Sequence, residues 1–267
     1  MQTIGFGILE FLSVLAAITG VCWLLARRHR GRARPDGRKP FWVTWGAEAF
    51  VVVGLVLAGR VALADWQRVP SGSMEPTLRV GDFLLVNKLA YGPRLPFTNT
   101  ALPLGEPQRG DVVVFRFPGN VSQMYVKRLV GLPGDVVRYR AGAVSVNGEP
   151  FRVELDGDAE RHPEDRGQLF VHEETAGRER TIKVAERAPG AHVEPVAWEG
   201  DPAHCRVESR QAWACTVPAG QYLMLGDNRD NSADSRVWGF LDAREVYGKA
   251  VRVLANPGEW SRSWSPL

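Results

Sequence analysis

The chain has 267 residues and a mass of 29.5 kDa, longer than one average domain and shorter than two, so one body with an appendage is the expectation. At 45% hydrophobic, 24% charged and a net charge of +3, it has the composition of a chain with a packed core, which excludes the disordered, collagen-like and disulfide-packed classes. Residues 1 to 64 carry eight Arg/Lys against three Asp/Glu and the remainder is net −2, so the basic excess lies between two apolar runs, which points to a lipid bilayer and not to nucleic acid.

The first apolar run, 4–26, has one charge, Glu10, and at about 1.5 Å per residue its 23 residues match a hydrocarbon core of about 30 Å. A cleavable secretory signal would carry positive charge ahead of the run. Here Arg27, Arg28, Arg30, Arg32 and Arg34 all follow it, which favours a transmembrane helix. The connection 27–40 holds seven Arg/Lys and one Asp, and the positive-inside rule puts it in the cytoplasm. A second run, 41–64, is flanked by Trp42, Trp45 and Trp66, rings suited to headgroup level. Residues 1–66 are therefore expected to be a hairpin anchor with both ends facing outward, and the rest an extracytoplasmic body where disulfides persist. Cys22 lies in the first run, leaving Cys205 and Cys215 either to pair across two strands or to remain two free thiols.

Beyond Asp65 short Val/Leu/Phe/Tyr runs alternate with Gly/Pro turns, a mainly β pattern. Asn147-Gly148 reads as a two-residue hairpin turn and Pro133-Gly134 as a turn between strands. The stretch YGPRLPFTNTALPLG (91–105) is either a second lipid contact or an ordinary Pro-rich loop. Residues 151–204 hold 13 Asp/Glu, seven Arg/Lys and four of the five histidines, and are expected to form an inserted, solvent-facing sub-domain with long loops. The flanking segments 67–150 and 205–257 make the β-body, followed by a tail, 258–267. There is no internal repeat.

Several chemistries are struck out by inspection. HEETA at His172 lacks the second histidine of HExxH, no serine stands in GxSxG or SxxK, there is no Walker loop, and the histidines have no metal-ligand spacing, so neither a metal nor a cofactor is expected. Three segments remain. In PSGSMEPTL (70–78), Ser71 and Ser73 are two apart, so an extended chain turns both hydroxyls one way, with Gly72 leaving space between them. A polar linker would read the same. In MYVKRLVGLPG, Lys127 is one of only five lysines against 28 arginines, and in an alternating strand Lys127 and Arg128 face opposite sides, so one cation points inward unless the strand lies at an edge. Arginine cannot deprotonate in a protein; a buried lysine can, and then serves as a general base. GDNRDNSADSR (226–236), following the apolar QYLML, is either an exposed loop or a hydrogen-bonded network around a site.

With these segments in view, the chain resembles the bacterial type I signal peptidases, the leader peptidase family (peptidase S26) of membrane-bound serine proteases, through four blocks in family order: PSGSMEPTLRVGDFLLVNKLAYG, RGDVVVFRFP, YVKRLVGLPGD and GDNRDNSADSRVWGF. The insert 151–204 matches no block. The resemblance implies a signal-peptidase/LexA-like fold of coiled β-sheets with an inserted second sub-domain, preceded by two transmembrane helices. It further implies Ser73 as nucleophile, Lys127 as general base, and an oxyanion hole from the Ser71 hydroxyl and the Ser73 N–H. Ser232 would orient the lysine, Asp234 and Arg236 would brace that loop, and Asp227, Arg128 and Tyr125 would give structural support. The implied partners are signal-peptide-bearing preproteins and the lipid bilayer, with the protein translocation machinery allowed as a third, and the implied location is the bacterial cytoplasmic membrane with the catalytic domain on its outer side. Self-cleaving repressor-type and pilin-processing peptidases share such a dyad, but two spans count against the repressor type.

Overall fold

The structure, a computed structural model, describes residues 4–28, 41–62, 64–92, 104–140, 142–156, 167–175, 177–185, 203–209 and 212–267. The basic connection 29–40, most of the Pro-rich stretch (93–103) and two parts of the insert (157–166 and 186–202) lie outside the described residues. The chain divides into two units, Met1–Arg68 and Val69–Leu267.

The first unit holds helices α1 (Ile4–Arg28) and α2 (Phe41–Ala62) and a short strand, β1 (Ala64–Arg68). The helices approach closely where side chains are small. A Cβ on Gly46 would lie 2.6 Å from the Cβ of Cys22, and nearby the Trp23 and Phe50 rings are 5.7 Å apart. Away from this contact Val14, Ile18, Val21 and Leu24 of α1 and Val51, Val52 and Leu55 of α2 are each more than half exposed. Helix α1 covers the expected run 4–26, and α2 covers 41–62 of the expected run 41–64, whose last residue, Ala64, opens β1; among the described residues no helix is long and apolar enough to cross a membrane.

The second unit is mainly β. Its elements are β2 (Phe83–Asn87), β3 (Val112–Phe117), β4 (Asn120–Gly131), β5 (Val136–Arg140), β6 (Ala143–Val146), β7 (Glu149–Pro150), β8 (Arg152–Leu155), β9 (Gln168–Thr175), β10 (Arg178–Ala185), β11 (Cys205–Ser209), β12 (Ala212–Thr216), β13 (Gln221–Leu225), the one-turn helix α3 (Ser235–Trp238), β14 (Leu241–Asp242) and β15 (Val246–Ala255). One sheet runs β2-β15-β3-β4-β13-β14, a second β11-β12-β5-β6-β7, and a third β10-β9-β8. All neighbouring strands in these runs are antiparallel. The turn residues act where the sequence indicates: Asn147 and Gly148 join β6 to β7 at φ 54° and 89°, and Gly134 turns the chain between β4 and β5 at φ 87°.

The first of these sheets is covered on both faces, which explains why VVVF of β3 does not alternate with polar residues. Val112 and Val114 pack with Met74, Leu78, Leu84 and Val253 on one side, while Val113 and Phe115 pack with Leu129, Met224 and Leu241 on the other. The same burial reaches β4, so Lys127 (3% exposed) and Arg128 (7%) are both enclosed, on opposite faces. The expectation of a single inward cation assumed a sheet with one wet face, and this sheet has none at that point.

The insert also differs from its expectation. Its described part is a regular three-stranded sheet, and Phe170, Glu173, Arg180, Ile182 and Lys183 are buried in it, so it is not simply solvent-facing. Cys205 and Cys215 stand opposite each other on β11 and β12 and are joined by a disulfide, with Cys215 in the core beside Trp213 and Val137. Residues 258–267 are not loose: Arg262 pairs with the buried Asp82 at 2.7 Å, and the Trp264 and Leu267 N–H groups donate to β15 carbonyls.

Candidate active site

Ser73 lies in a turn and not in an extended strand, because the residues around it are pulled into the core. Met74 and Leu78 are both fully buried, and the Leu78 N–H donates to the Met74 carbonyl at 2.9 Å, closing one turn. Burying each of those side chains contributes about 1.5–3 kcal/mol, enough to pin the short segment between them. The Ser71 and Ser73 hydroxyls still face one another at 3.4 Å. Gly72 does not open free space there: a Cβ on it would lie 2.6 Å from a carboxylate oxygen of Glu75, which folds back over the glycine.

Lys127 reaches this turn from β4, where it pairs with Val113 of β3. Its Nζ donates to Ser73 Oγ at 2.6 Å and to the Val126 carbonyl at 3.2 Å, and it sits 5.7 Å from the centre of the Tyr125 ring, which is itself stacked on Phe117. Burial pushes the amine down from 10.5 to about 8, against the upward pull of the Asp234 and Asp227 carboxylates, with Arg236 adding to the drop.

The segment 226–236 is the buried network of the two alternatives its composition allowed. Asp227 accepts from Arg128 Nε at 2.7 Å and Nη2 at 2.5 Å and from the Thr77 hydroxyl at 2.6 Å. Asp234 accepts from the Gly226 N–H at 2.9 Å and from Arg236 Nε and Nη2 at 2.8 and 2.7 Å, and it caps α3 through the Arg236 N–H. Burial alone would raise both carboxyls; the facing guanidiniums, Arg128 on Asp227 and Arg236 on Asp234, hold them below the usual carboxylate range.

One expected contact is absent. Ser232 does not bond Lys127, which is held by Ser73 and a backbone carbonyl; the buried Ser232 hydroxyl acts instead on Asp234, whose carboxyl it helps hold down. The serine lies against Gly226, where a Cβ would collide with it and would also come within 2.5 Å of the Ser73 carbonyl. Gly226→Ala is accordingly expected to displace the Ser73 backbone and slow turnover by about 100-fold while the protein still folds. Comparing turnover and the thermal melt of the two proteins checks it, and an unimpaired Gly226→Ala enzyme would show that the site yields without loss.

Sequence reasoning missed Asn228 and Thr77. The Asn228 N–H donates to the Ser73 carbonyl at 3.2 Å and its side-chain amide to the Gly72 carbonyl at 3.1 Å. Glu75 N–H also donates to the Gly72 carbonyl, at 3.1 Å. In a planar trans peptide the N–H points opposite to the carbonyl, so these two bonds fix the direction of the Ser73 N–H. Nothing in the local pattern singles out one asparagine in a polar loop. Among the described residues neither histidine joins the site: His172 stands by Asp156 and Glu179, and His204 by Phe240.

The arrangement is thus a hydroxyl, a buried amine of lowered basicity and an oriented backbone donor, the parts of an acyl-transfer site. The profile of the family described as signal peptidase, peptidase S26, matches residues 42–255. The chain is 41% identical to a signal peptidase I of Pseudomonas aeruginosa, over 81% of this chain and 73% of that one. It is 33% identical to one of Aquifex aeolicus (77% and 81%) and 30% identical to one of Haemophilus influenzae (95% and 87%). Since the profile match takes in all four blocks that line or brace the site, and the likeness runs through most of the chain, the protein belongs to the signal peptidase family, peptidase S26.

Proposed function

We propose that this chain is a membrane-anchored serine endopeptidase that uses Ser73 and Lys127 as a dyad to remove N-terminal signal peptides from exported preproteins after a small-x-small motif. The single observation that carries the dyad is the 2.6 Å contact between a buried lysine nitrogen and a serine hydroxyl. In the neutral state Lys127 accepts the Ser73 proton as Oγ attacks the carbonyl of the last signal-peptide residue, then returns it to the leaving amine. An acyl-enzyme results, and the same amine activates water to hydrolyse it. The Ser73 N–H, aimed by the bonds that hold the Gly72 carbonyl, and the Ser71 hydroxyl receive the developing oxyanion, each such donor being worth roughly 100- to 1,000-fold in turnover. Ser–Lys pairs are a known variant of serine catalysis.

A substrate added as an extended strand turns its −1 and −3 side chains to one side, so two shallow pockets select small residues. The spans 4–26 and 41–64 anchor the enzyme, an assignment supported by the apolar side chains that α1 and α2 turn outward, and the basic connection holds its own side of the membrane to the cytoplasm. Substrates and lipid are the partners, and contact with the translocation machinery would deliver the cleavage point to Ser73. The test is processing of a preprotein by the purified full-length enzyme in lipid vesicles. Ser73→Ala is expected to reduce cleavage to background; cleavage persisting in that variant would remove the serine from the mechanism.

A further inference from the structure

The insert touches the site twice, through two different residues. The first is Lys183 of β10. Its backbone N–H donates to the Asp227 carbonyl and its carbonyl accepts from the Arg229 N–H, both at 2.9 Å, so both neighbours of Asn228 are fixed to it. Asn228 in turn bonds the Gly72 and Ser73 carbonyls. The Lys183 side chain runs to the other end of the same turn, pairing with Glu75 at 2.9 Å, the carboxylate that lies over Gly72. The second residue is Glu173 of β9. It is 1% exposed and accepts from both Arg229 terminal nitrogens, Nη1 and Nη2, at 2.8 and 2.5 Å, and from Arg180. Arg229 also donates to the Gly226 carbonyl at 3.2 Å, and its own carbonyl accepts from Arg236 at 2.7 Å. The nucleophile turn and the loop behind the lysine are therefore both held from one sheet.

We infer that the insert sheet β8–β10 is a brace for catalysis, in which Lys183, acting through Glu75 and Asn228, and Glu173, acting through Arg229, are positioning residues for the Ser73 turn and the 226–236 loop. This rests on the dyad proposed above. Neither residue lies within any of the four family blocks, and neither needs to touch substrate. Their effect is geometric, because a buried carboxylate that binds two arginines leaves those side chains little freedom, and a displacement of about 1 Å at a reacting atom already costs about 100-fold in rate.

The experiment uses the full-length enzyme in lipid vesicles with a preprotein substrate, measuring kcat, KM and the pH profile of kcat for Lys183→Met, Lys183→Arg and Glu173→Gln. Arg152→Ala, which breaks an exposed pair with Glu174 on the same sheet, serves as control. Lys183→Met and Glu173→Gln are expected to lower kcat by roughly 10- to 100-fold with KM within about twofold, and Lys183→Arg to recover much of the loss. A loosened loop also admits water to Lys127, which faces Asp234, Asp227 and Arg236, so the acid limb of the profile should move to higher pH in both variants. A merely structural role would reduce the folded fraction and leave that limb in place. If Glu173→Gln does not fold, Lys183→Met decides, since it leaves the ion pairs of Glu173 in place. Wild-type kcat and an unmoved limb in a folded Lys183→Met enzyme overturn the brace. Ser73→Ala and Lys127→Arg are run alongside: activity surviving in those two defeats the dyad itself, whereas their inactivity beside a fully active Lys183→Met enzyme defeats only the brace.

Discussion

Lys127→Arg is expected to process a preprotein at least about 1,000-fold more slowly than the unaltered enzyme, although it keeps the positive charge and most of the bulk. Arginine stays protonated at any pH the fold survives, so it offers Ser73 no lone pair. The wild-type rate should rise through the basicity of Lys127, near about 8, as the neutral form is populated, and initial rates from pH 6 to 10 would show that limb. The same burial affects stability. Lys127 is pushed down to about 8 in the fold from 10.5, so below pH 8 the buried amine must carry its charge, and the native state bears a penalty of about 3 kcal/mol. As the pH rises through 8 the folded chain releases a proton that the unfolded chain still binds, and the penalty is gone by about pH 10.5. Lys127→Met should therefore be inactive yet more stable, by up to about 3 kcal/mol at pH 6 and by progressively less above pH 8, measured by denaturant unfolding. A gain that did not change with pH would show that the amine is hydrated.

Asp234→Asn is expected to cost about 3–5 kcal/mol at pH 7, because it leaves the Arg236 guanidinium, 1% exposed, without its counter-charge. It also weakens the acceptor for the Gly226 N–H, so activity should fall together with stability. The carboxyl titrates below its ordinary 3.8 in the fold, so its contribution is complete above that value and is lost only as the pH falls through the lowered native one. The difference between wild type and variant should thus be constant from pH 7 to about 5 and shrink in stronger acid. Parallel unfolding curves at pH 7 and pH 3 measure it, and a variant as stable as wild type at pH 7 would mean that Arg236 is satisfied by another partner.

What could be read from the linear chain depended on how local the determinant is. The hairpin at Asn147-Gly148 was legible because positive φ at two successive residues is a property of those residues themselves. That the two apolar runs form helices, α1 and α2, was legible for a similar reason, since a long run of helix-compatible residues needs no distant neighbour. Ser73 and Lys127 stood out as residue types in context, a serine pair beside glycine and a rare lysine in an apolar run, and the family blocks carried them together. Their 2.6 Å contact spans 54 positions and exists only because β3 and β4 stand beside a turn anchored by Met74 and Leu78.

The misreadings share one cause. Burying both Lys127 and Arg128 requires cover on both faces of β4, and whether a strand is covered is decided by elements far away in sequence. The acidic insert reads as wet because 13 carboxylates suggest solvent, yet Glu173 is enclosed by Arg180 and Arg229, the latter 56 positions away. The sequence points Ser232 to the lysine, whereas the packing turns its hydroxyl to Asp234, and Lys127 bonds Ser73 and a backbone carbonyl. The sequence by itself determined the residue types able to do the chemistry, the strands and turns, and the apolar runs, because these follow from side-chain chemistry and short-range backbone preference. Only the tertiary structure decided which charges meet, how dry the amine is and what steadies the serine, because desolvation and ion pairing depend on distances that the order of residues does not contain.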